Sequence, residues 1–151
     1  MNIKKKKTLQ SIILLWSVGT YLVALTQDAY YVEGHDPKAW AFAFGLLLVG
    51  WLGILYGYYA WIANPFLFLS WFFICRKKYL FGILSAVTSL SFMLSFLSYK
   101  TIVTSVKLEY LSIIWRGPGY WLWVASAVLS LLSAVVGVII VINNNKIGWP
   151  H

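Results

Sequence analysis

Long apolar runs alternate with short polar segments along the chain. The apolar runs cover about residues 9–25, 40–75, 79–98 and 120–142. A helix needs roughly 20 apolar residues to cross the hydrocarbon core of a bilayer. The first, third and fourth runs have about that length, and each predicts one membrane-spanning helix.

The second run is the exception, because its 36 residues carry no formal charge. It is too long for one straight span and short for two spans with a turn. Pro65 removes a backbone donor, so it kinks or restarts a helix, and Asn64 before it is a suitable cap. We therefore predict one crossing by a long second helix that is kinked or broken at Asn64-Pro65.

Two layouts of this run fit the pattern. In the first, residues 40–61 cross and residues 65–75 lie shallowly at the cytoplasmic face. In the second, residues 40–52 lie at the outer interface and residues 54–75 cross. Residues 66–74 are almost entirely apolar, whereas a surface helix should show a polar face. This favours the second layout or one strongly tilted, continuous helix.

Composition and charge place these helices in a membrane and orient them. Hydrophobic residues make up 61% of the chain and charged residues 11%, against about 25% charged residues in soluble domains. With the N-terminus inside, the clusters Lys4–Lys7 and Arg76–Lys78 face the cytoplasm together with Lys146, and all four acidic residues lie outside. We predict an all-α membrane protein, a four-transmembrane-helix bundle within a single domain of residues 1–151, with both termini cytoplasmic. The basic residues are explained by this topology rather than by nucleic-acid binding.

The two outer loops carry opposite charge. The loop after the first span holds three acidic residues and one lysine, and the loop after the third span holds three basic residues and one glutamate. In the latter, Val106, Leu108 and Tyr110 alternate with charged residues, which predicts a short β or extended segment. We expect the loops to dock on each other as a small outer cap.

Two series of small residues recur at helical spacing. The series in the second run is Gly50, Gly53, Gly57 and Ala60, followed by Asn64. The series in the fourth run is Ser126, Ser130, Ser133 and Gly137. Helices in lipid associate by close packing, so small residues mark contact faces. Each series predicts one helix face, packed either inside the bundle or against a helix of a partner protein, for which Gly53/Gly57 is the foremost candidate.

Residues that support catalysis or ion coupling are missing from the spans. They contain no Asp, Glu, Lys, Arg or His, which argues against ion-coupled transporters, proton pumps and intramembrane proteases. His35 with its acidic neighbours is better explained as a polar loop than as a metal site. The glycines match neither a P-loop nor a dinucleotide fingerprint. We therefore predict no enzymatic activity, no cofactor and no metal.

Three short motifs together carry a family resemblance. Trp-Ile-Ala-Asn-Pro-Phe-Leu-Phe-Leu at 61–69, the basic cluster after it, and Gly-Tyr-Trp-Leu-Trp at 119–123 resemble a group of small bacterial inner-membrane proteins with four predicted spans and no characterised activity. The resemblance covers most of the chain from Trp40 onward. It implies a bacterial inner-membrane location, and it supplies no functional residues.

Two functional predictions follow. The first is a non-enzymatic accessory or interaction subunit of a membrane complex, or a protective, immunity-like membrane protein. Its partners are the bilayer and either another membrane protein or further copies of itself. The alternative is a small facilitator or lipid-binding protein with its site at the Asn64-Pro65 helix break, where a broken helix exposes backbone groups to a ligand.

Overall fold

The computed structural model describes residues 3–34, 42–103 and 110–147. Its α-helices are α1 (Ile3–Leu25), α2 (Ala43–Val49), α3 (Ala63–Cys75), α4 (Tyr79–Ser95) and α5 (Pro118–Ile147). Its strands are β1 (Tyr30–Val32), β2 (Thr101–Val103) and β3 (Tyr110–Arg116). Short 3-10 helices cover Gly50–Tyr56, Ala60–Ile62 and Phe96–Ser98. The mainly helical prediction is confirmed, and a small sheet is added to it.

Three helices in the described part of the chain are long and apolar enough to cross a membrane: Lys5–Leu25, Tyr79–Ser98 and Pro118–Asn144. They agree with the first, third and fourth predicted spans. The 13 residues of α3 form a helix of about 20 Å, and the 3-10 turn before it adds about 6 Å. That total falls short of a hydrocarbon core of about 30 Å, so α3 does not meet the length of a full span.

Helices α1 and α5 run antiparallel in close contact. Ser17 Oγ donates to Ser126 O at 2.6 Å. About two helical turns away, Ser133 Oγ donates to Gln10 O at 3.1 Å. Both bonds tie a hydroxyl to the backbone of the facing helix, which requires the two backbones to approach closely. Small side chains on α5 allow this approach.

Helix α4 also runs antiparallel to α5. Tyr120 OH, near the start of α5, donates to Met93 O near the end of α4, and the Tyr79 ring lies against Gly137 at the other end. The turn Arg76–Lys78 therefore shares one end of the molecule with the N-terminus of α1 and the C-terminus of α5. We call this the basic end, and the opposite end the sheet end.

A three-stranded antiparallel sheet in the order β1-β3-β2 covers the sheet end. Tyr30 pairs with Arg116 and Thr101 pairs with Ser112. The buried side of the sheet packs on Phe96 and Tyr120. The two loops thus dock through backbone hydrogen bonds between distant strands. Residues 106 and 108, on which the alternating pattern rests, lie outside the described residues.

The break in the second apolar run lies earlier than predicted. The 3-10 helix Gly50–Tyr56 ends at Gly57, whose φ of +83° is the left-handed conformation that glycine adopts most readily. Helix α3 then begins at Ala63, so Pro65 lies in its first turn, where proline is tolerated. The prediction of a break at Asn64-Pro65 is corrected to a break at Gly57. The choice between the two layouts stays a prediction.

This break also corrects the expectation of a single glycine face. Gly50 and Gly53 belong to the 3-10 segment, Gly57 terminates it, and Ala60 lies beyond the turn. A face shared by all four requires one continuous α-helix. The chain reverses between the two halves of the series instead, because Gly57 is in the left-handed region.

Candidate functional site

A cavity of about 500 Å³ lies at the sheet end, between α2 with its following 3-10 helix and the ends of α1, α3 and α5. Its roof is formed by the sheet, including Tyr30, Ile102 and Val103. Its floor is formed by Tyr21, Asn64 and Trp123. Cavities that bind small ligands commonly have volumes of about 300–1,000 Å³, so this one is large enough for a lipid chain or a similar molecule.

The cavity wall is apolar and aromatic. Leu46, Leu47, Leu52 and Leu55 line one side, and tyrosine, tryptophan and phenylalanine rings line much of the rest. Among the described lining residues there is no Asp, Glu, Lys, Arg or His. An ion inside the cavity would therefore lose its hydration without gaining a counter-charge, whereas a hydrocarbon chain would lose nothing.

Three hydrogen bonds hold the cavity's side wall in place. Trp61 Nε1 donates to Leu47 O at 2.9 Å, and Tyr59 N donates to Tyr99 OH at 2.9 Å. At the start of α2, Ala43 N donates to Gln27 O at 3.1 Å. These contacts fasten the segment 43–59 to α1 and to the loop after α4.

Two of the predicted glycines serve this wall. A Cβ on Gly50 would lie 2.7 Å from Trp61 Cδ1, and a Cβ on Gly53 would lie 3.3 Å from Tyr58 Cβ. The first distance is too short for any side chain. Gly50 is thus required for the 3-10 helix to lie against Trp61, and Gly53 also lines the cavity.

Asn64 joins three helices at the cavity floor. Its side chain is buried, with 7% exposure. Its Oδ1 accepts hydrogen bonds from Tyr21 OH at 3.1 Å and from Trp123 Nε1 at 3.0 Å. Its Nδ2 donates to Trp61 O at 3.2 Å. We call these three partners and Asn64 the floor cluster.

The bond to Trp61 O has a specific cause. In a continuous helix that carbonyl accepts from the N–H four residues later, which is position 65. Pro65 has no N–H to donate to that carbonyl, and Asn64 Nδ2 donates to it instead. Asn64 therefore compensates for the proline. Pro65 itself is exposed and does not line the cavity.

The serine series of α5 lies inside the protein. Ser126, Ser130 and Ser133 are fully buried. Ser130 Oγ lies 2.8 Å from Ser70 Oγ of α3. A Cβ on Gly137 would overlap the Tyr79 ring. The chain's own helices α1, α3 and α4 thus cover this face.

The sequence predicts neither Tyr21 of the floor nor the cap residue Arg116 as a site residue, and Trp123 appears there only within the motif at 119–123. Tyr21 and Trp123 lie within two turns of their helix ends, a position that predicts a shared membrane depth but not a shared partner. Arg116 Nη2 donates to Tyr99 O at 2.7 Å and to Leu97 O at 3.0 Å. The guanidinium thereby caps the 3-10 helix Phe96–Ser98 that continues α4, where the helix dipole favours a cation.

The roof holds a buried phenol. Burial, with a smaller contribution from neighbouring Tyr58, raises the pKa of Tyr30 to about 12. Its neutral form is therefore favoured at any physiological pH. The lining residues that the structure describes thus carry no charge.

The described residues contain no group of His, Cys, Asp and Glu that could hold a metal ion, and His35 and Asp36 lie outside them. The polar side-chain atoms of the floor cluster are engaged with one another, and no charged side chain is among the described residues that line the cavity. Comparison of the chain with protein-family models, with curated proteins and with solved structures finds no match.

Proposed function

We propose that the chain is a bacterial inner-membrane protein that crosses the bilayer four times, with both termini cytoplasmic. The support is the hairpin of α3 and α4, which meet at the turn Arg76–Lys78. The exposed basic residues of that turn lie at the same end as Lys5–Lys7, as the positive-inside rule expects. The helix formed by α3 and the 3-10 turn before it is about 4 Å shorter than the hydrocarbon core. A locally thinner bilayer accommodates this mismatch.

We propose further that the protein is non-enzymatic and binds a membrane lipid in the cavity at the sheet end. The observation that carries this proposal is a cavity of about 500 Å³ with a largely apolar wall, in which the described lining residues carry no charge. In this topology the cavity lies at the outer interface, beside the acyl chains of the outer leaflet. An acyl chain fills such a space with hydrophobic contact and needs no counter-ion.

Binding is favoured over passage of a solute. Below the floor cluster, the space between the helices is filled by Ala63, Leu67, Met93 and Ala127, each with 0% exposure. The cavity in the described residues is thus closed toward the basic end. A closed cavity holds a ligand, whereas a facilitator needs a path to the other side.

The other sequence-based prediction, an accessory or immunity-like subunit or a homo-oligomer, stays a prediction. The serine series of α5 is occupied by the chain's own helices and does not supply the partner face it requires. Crosslinking in native membranes, followed by identification of everything attached, tests it. A single defined protein partner at a fixed ratio would establish the subunit role.

Lipid retention tests the proposed function. Protein extracted gently from native membranes should carry about one lipid per chain in native mass spectrometry. Leu46→Trp places a larger ring in the cavity and should remove that lipid. Leu48→Trp is the matched control, since Leu48 lies on the same helix, does not line the cavity and is 59% exposed. Equal lipid content in both variants would contradict the proposal.

Cysteine labelling tests the topology. Cys75 is the chain's single cysteine and is exposed, so Lys78→Cys in a Cys75→Ser background gives one reactive site at the basic turn. A membrane-impermeant maleimide should label it only after the cytoplasmic side is opened. Labelling from the outer side of intact cells would overturn the N-in, C-in assignment.

A further inference from the structure

The turn between α3 and α4 holds a lysine where its backbone favours glycine. Lys77 N donates to Ile74 O at 3.0 Å, and Lys78 N donates to Phe73 O at 2.8 Å. This pair of bonds is a Schellman motif, whose left-handed position is usually glycine. Lys77 occupies that position with a φ of +58°, and it is the only non-glycine residue with positive φ that the structure describes. The turn itself therefore does not require a lysine there.

A second basic cluster lies beside this turn. Tyr79 OH, at the start of α4, donates to Gln10 Oε1 of α1 at 3.4 Å. Lys6 lies one helical turn before Gln10, on the same face of α1. Lys6 is partly buried, whereas the lysines on either side of it are exposed. Its burial agrees with a position at the groove between the start of α1 and the turn Arg76–Lys78.

The positive charge at this end has no acidic side chain to pair with. Residues 1–25, 63–98 and 118–151 contain no Asp or Glu. The exposed guanidinium of Arg76 lies 5.1 Å from the centre of the Phe72 ring, a contact that positions the cation without neutralising it. We call the cations of the groove and turn the basic patch: Lys6, Arg76, Lys77 and Lys78.

A phospholipid with net negative charge suits both the patch and its surroundings. Ammonium and guanidinium groups donate charge-assisted hydrogen bonds to phosphate oxygens. Clusters of Lys and Arg at the cytoplasmic ends of membrane helices attract anionic lipids. Large apolar side chains next to the turn are exposed, with 50% for Phe72, 68% for Leu80 and 56% for Phe81. These side chains can contact acyl chains, which a soluble phosphate lacks.

We propose that the basic patch binds the headgroup of a net-negative phospholipid from the cytoplasmic leaflet. The phosphate lies at the groove between Lys6 and the turn, and the acyl chains lie along Phe72 and Leu80. The unfavourable backbone conformation of Lys77 then has a function, because its ammonium group contributes to headgroup binding. This site is separate from the cavity at the sheet end, and it rests on the proposed membrane crossing.

Replacing Lys77 with glycine separates headgroup binding from folding. Glycine suits the left-handed position, so Lys77→Gly should be at least as stable as the wild type in an unfolding assay. Lys78→Gln removes a charge and leaves that position unchanged. Lys100→Gln is the matched control, since Lys100 is an exposed lysine at the sheet end.

A competition between two lipids measures the binding. The purified full-length protein is placed in nanodiscs with equal amounts of phosphatidylglycerol and phosphatidylcholine of the same chain length, and the bound lipid is identified by native mass spectrometry. The wild type should retain an excess of phosphatidylglycerol. Lys77→Gly and Lys78→Gln should each lower this excess roughly five-fold, whereas Lys100→Gln should keep it.

The results distinguish this site from the cavity and from a site for soluble anions. Equal retention of both lipids by the wild type, or the wild-type excess in both Lys77→Gly and Lys78→Gln, would overturn the basic patch as a lipid site and leave the cavity proposal intact. Loss of the excess in Leu46→Trp would place the anionic lipid in the cavity instead. Release of phosphatidylglycerol by inorganic phosphate at constant ionic strength would overturn the choice of a lipid.

Discussion

Replacing Asn64 with leucine removes the junction between α1, α3 and α5 while keeping the number and branching of the side-chain heavy atoms. The change leaves Tyr21 OH and Trp123 Nε1 without the acceptor that they share. It also leaves Trp61 O without its donor. All three atoms lie at the cavity floor, in bonds that are buried or partly buried.

The expected loss of stability follows from these three bonds. Interhelical polar contacts in membrane proteins average about 0.6 kcal/mol each, which sets a lower bound near 2 kcal/mol. Buried polar atoms left without partners cost about 1–3 kcal/mol each. The upper bound for three such atoms therefore lies well above about 2 kcal/mol. We expect Asn64→Leu to lower the free energy of unfolding by about 2–5 kcal/mol.

Reversible unfolding in mixed micelles, followed by tryptophan fluorescence, measures this loss. The variant is compared with Asn64→Leu in a Tyr21→Phe/Trp123→Phe background, where both donors are already absent and the cost should fall to about 1 kcal/mol. Ser91→Ala is the control, because its exposed hydroxyl bonds only to Val87 O of its own helix.

Two results would refute the reasoning. A cost for Asn64→Leu within about 0.5 kcal/mol of the Ser91→Ala cost would show that the floor cluster contributes little. The same cost in both backgrounds would show that the loss does not come from Tyr21 and Trp123.

Three further predictions concern the rest of the fold. Gly137→Leu should destabilise the protein by about 1–3 kcal/mol or more in the same unfolding assay, because a Cβ added at this position overlaps the Tyr79 ring. Gly19→Leu is the control, since a Cβ added there meets nothing within 4 Å. Equal costs for the two variants would contradict the packing. Arg116→Met should speed hydrogen exchange in residues 96–101, since it removes the guanidinium that bonds to Leu97 O and Tyr99 O. Lys100→Met is the control and should leave the exchange unchanged. Unchanged exchange in Arg116→Met would refute the capping role of Arg116. Tyr30 has a folded pKa of about 12 against 10.0 unfolded, so its contribution is complete below pH 10 and is lost as pH rises to 12. That loss is about 3 kcal/mol at most, and Tyr30→Phe should lack it while a Tyr110→Phe control retains it; identical pH profiles for Tyr30→Phe and wild type would contradict the assignment.

Local patterns predicted the long helices well. The apolar runs at 9–25, 79–98 and 120–142 fall within or overlap α1, α4 and α5 and their 3-10 extension, because length and hydropathy alone determine which segments suit a bilayer. The strand Tyr110–Arg116 begins at Tyr110, the last residue of the alternating pattern that predicted a β or extended segment. Its partner strand Tyr30–Val32 was not predicted. Strand pairing joins residues far apart in sequence, and three residues carry too little pattern to reveal it.

The second apolar run shows where a local rule misleads. Proline is a strong helix breaker inside a helix, but Pro65 lies in a first turn, where it is tolerated. Gly57, counted as part of a helix face, is the residue that ends the helical segment, and only its positive φ reveals this. Glycine serves close packing and chain reversal equally well, so spacing alone does not separate the two roles.

The sequence predicted Asn64 as a residue of the candidate site, but not the cavity around it. Asn64 was singled out by its place before proline, and the structure puts it at the cavity floor, where its Nδ2 donates to Trp61 O. Tyr21 and Trp123 come from other helices and meet Asn64 only through the packing of α1 and α5 on α3. The cavity itself depends on how residues 43–59 fold back over the helix ends, which no local pattern specifies.

Photolabelling with a glycerolipid that carries a diazirine on its acyl chain tests lipid occupancy of the cavity most directly. The probe is added to the protein in nanodiscs, irradiated, and the modified residues are located by peptide mass spectrometry. We expect labelling that saturates, concentrates at residues 46–61 on the cavity wall, and is lost in Leu46→Trp but kept in Leu48→Trp. Labelling that is unsaturable, spread evenly over the exposed faces of α1, α4 and α5, and unchanged in Leu46→Trp would contradict a lipid-binding cavity.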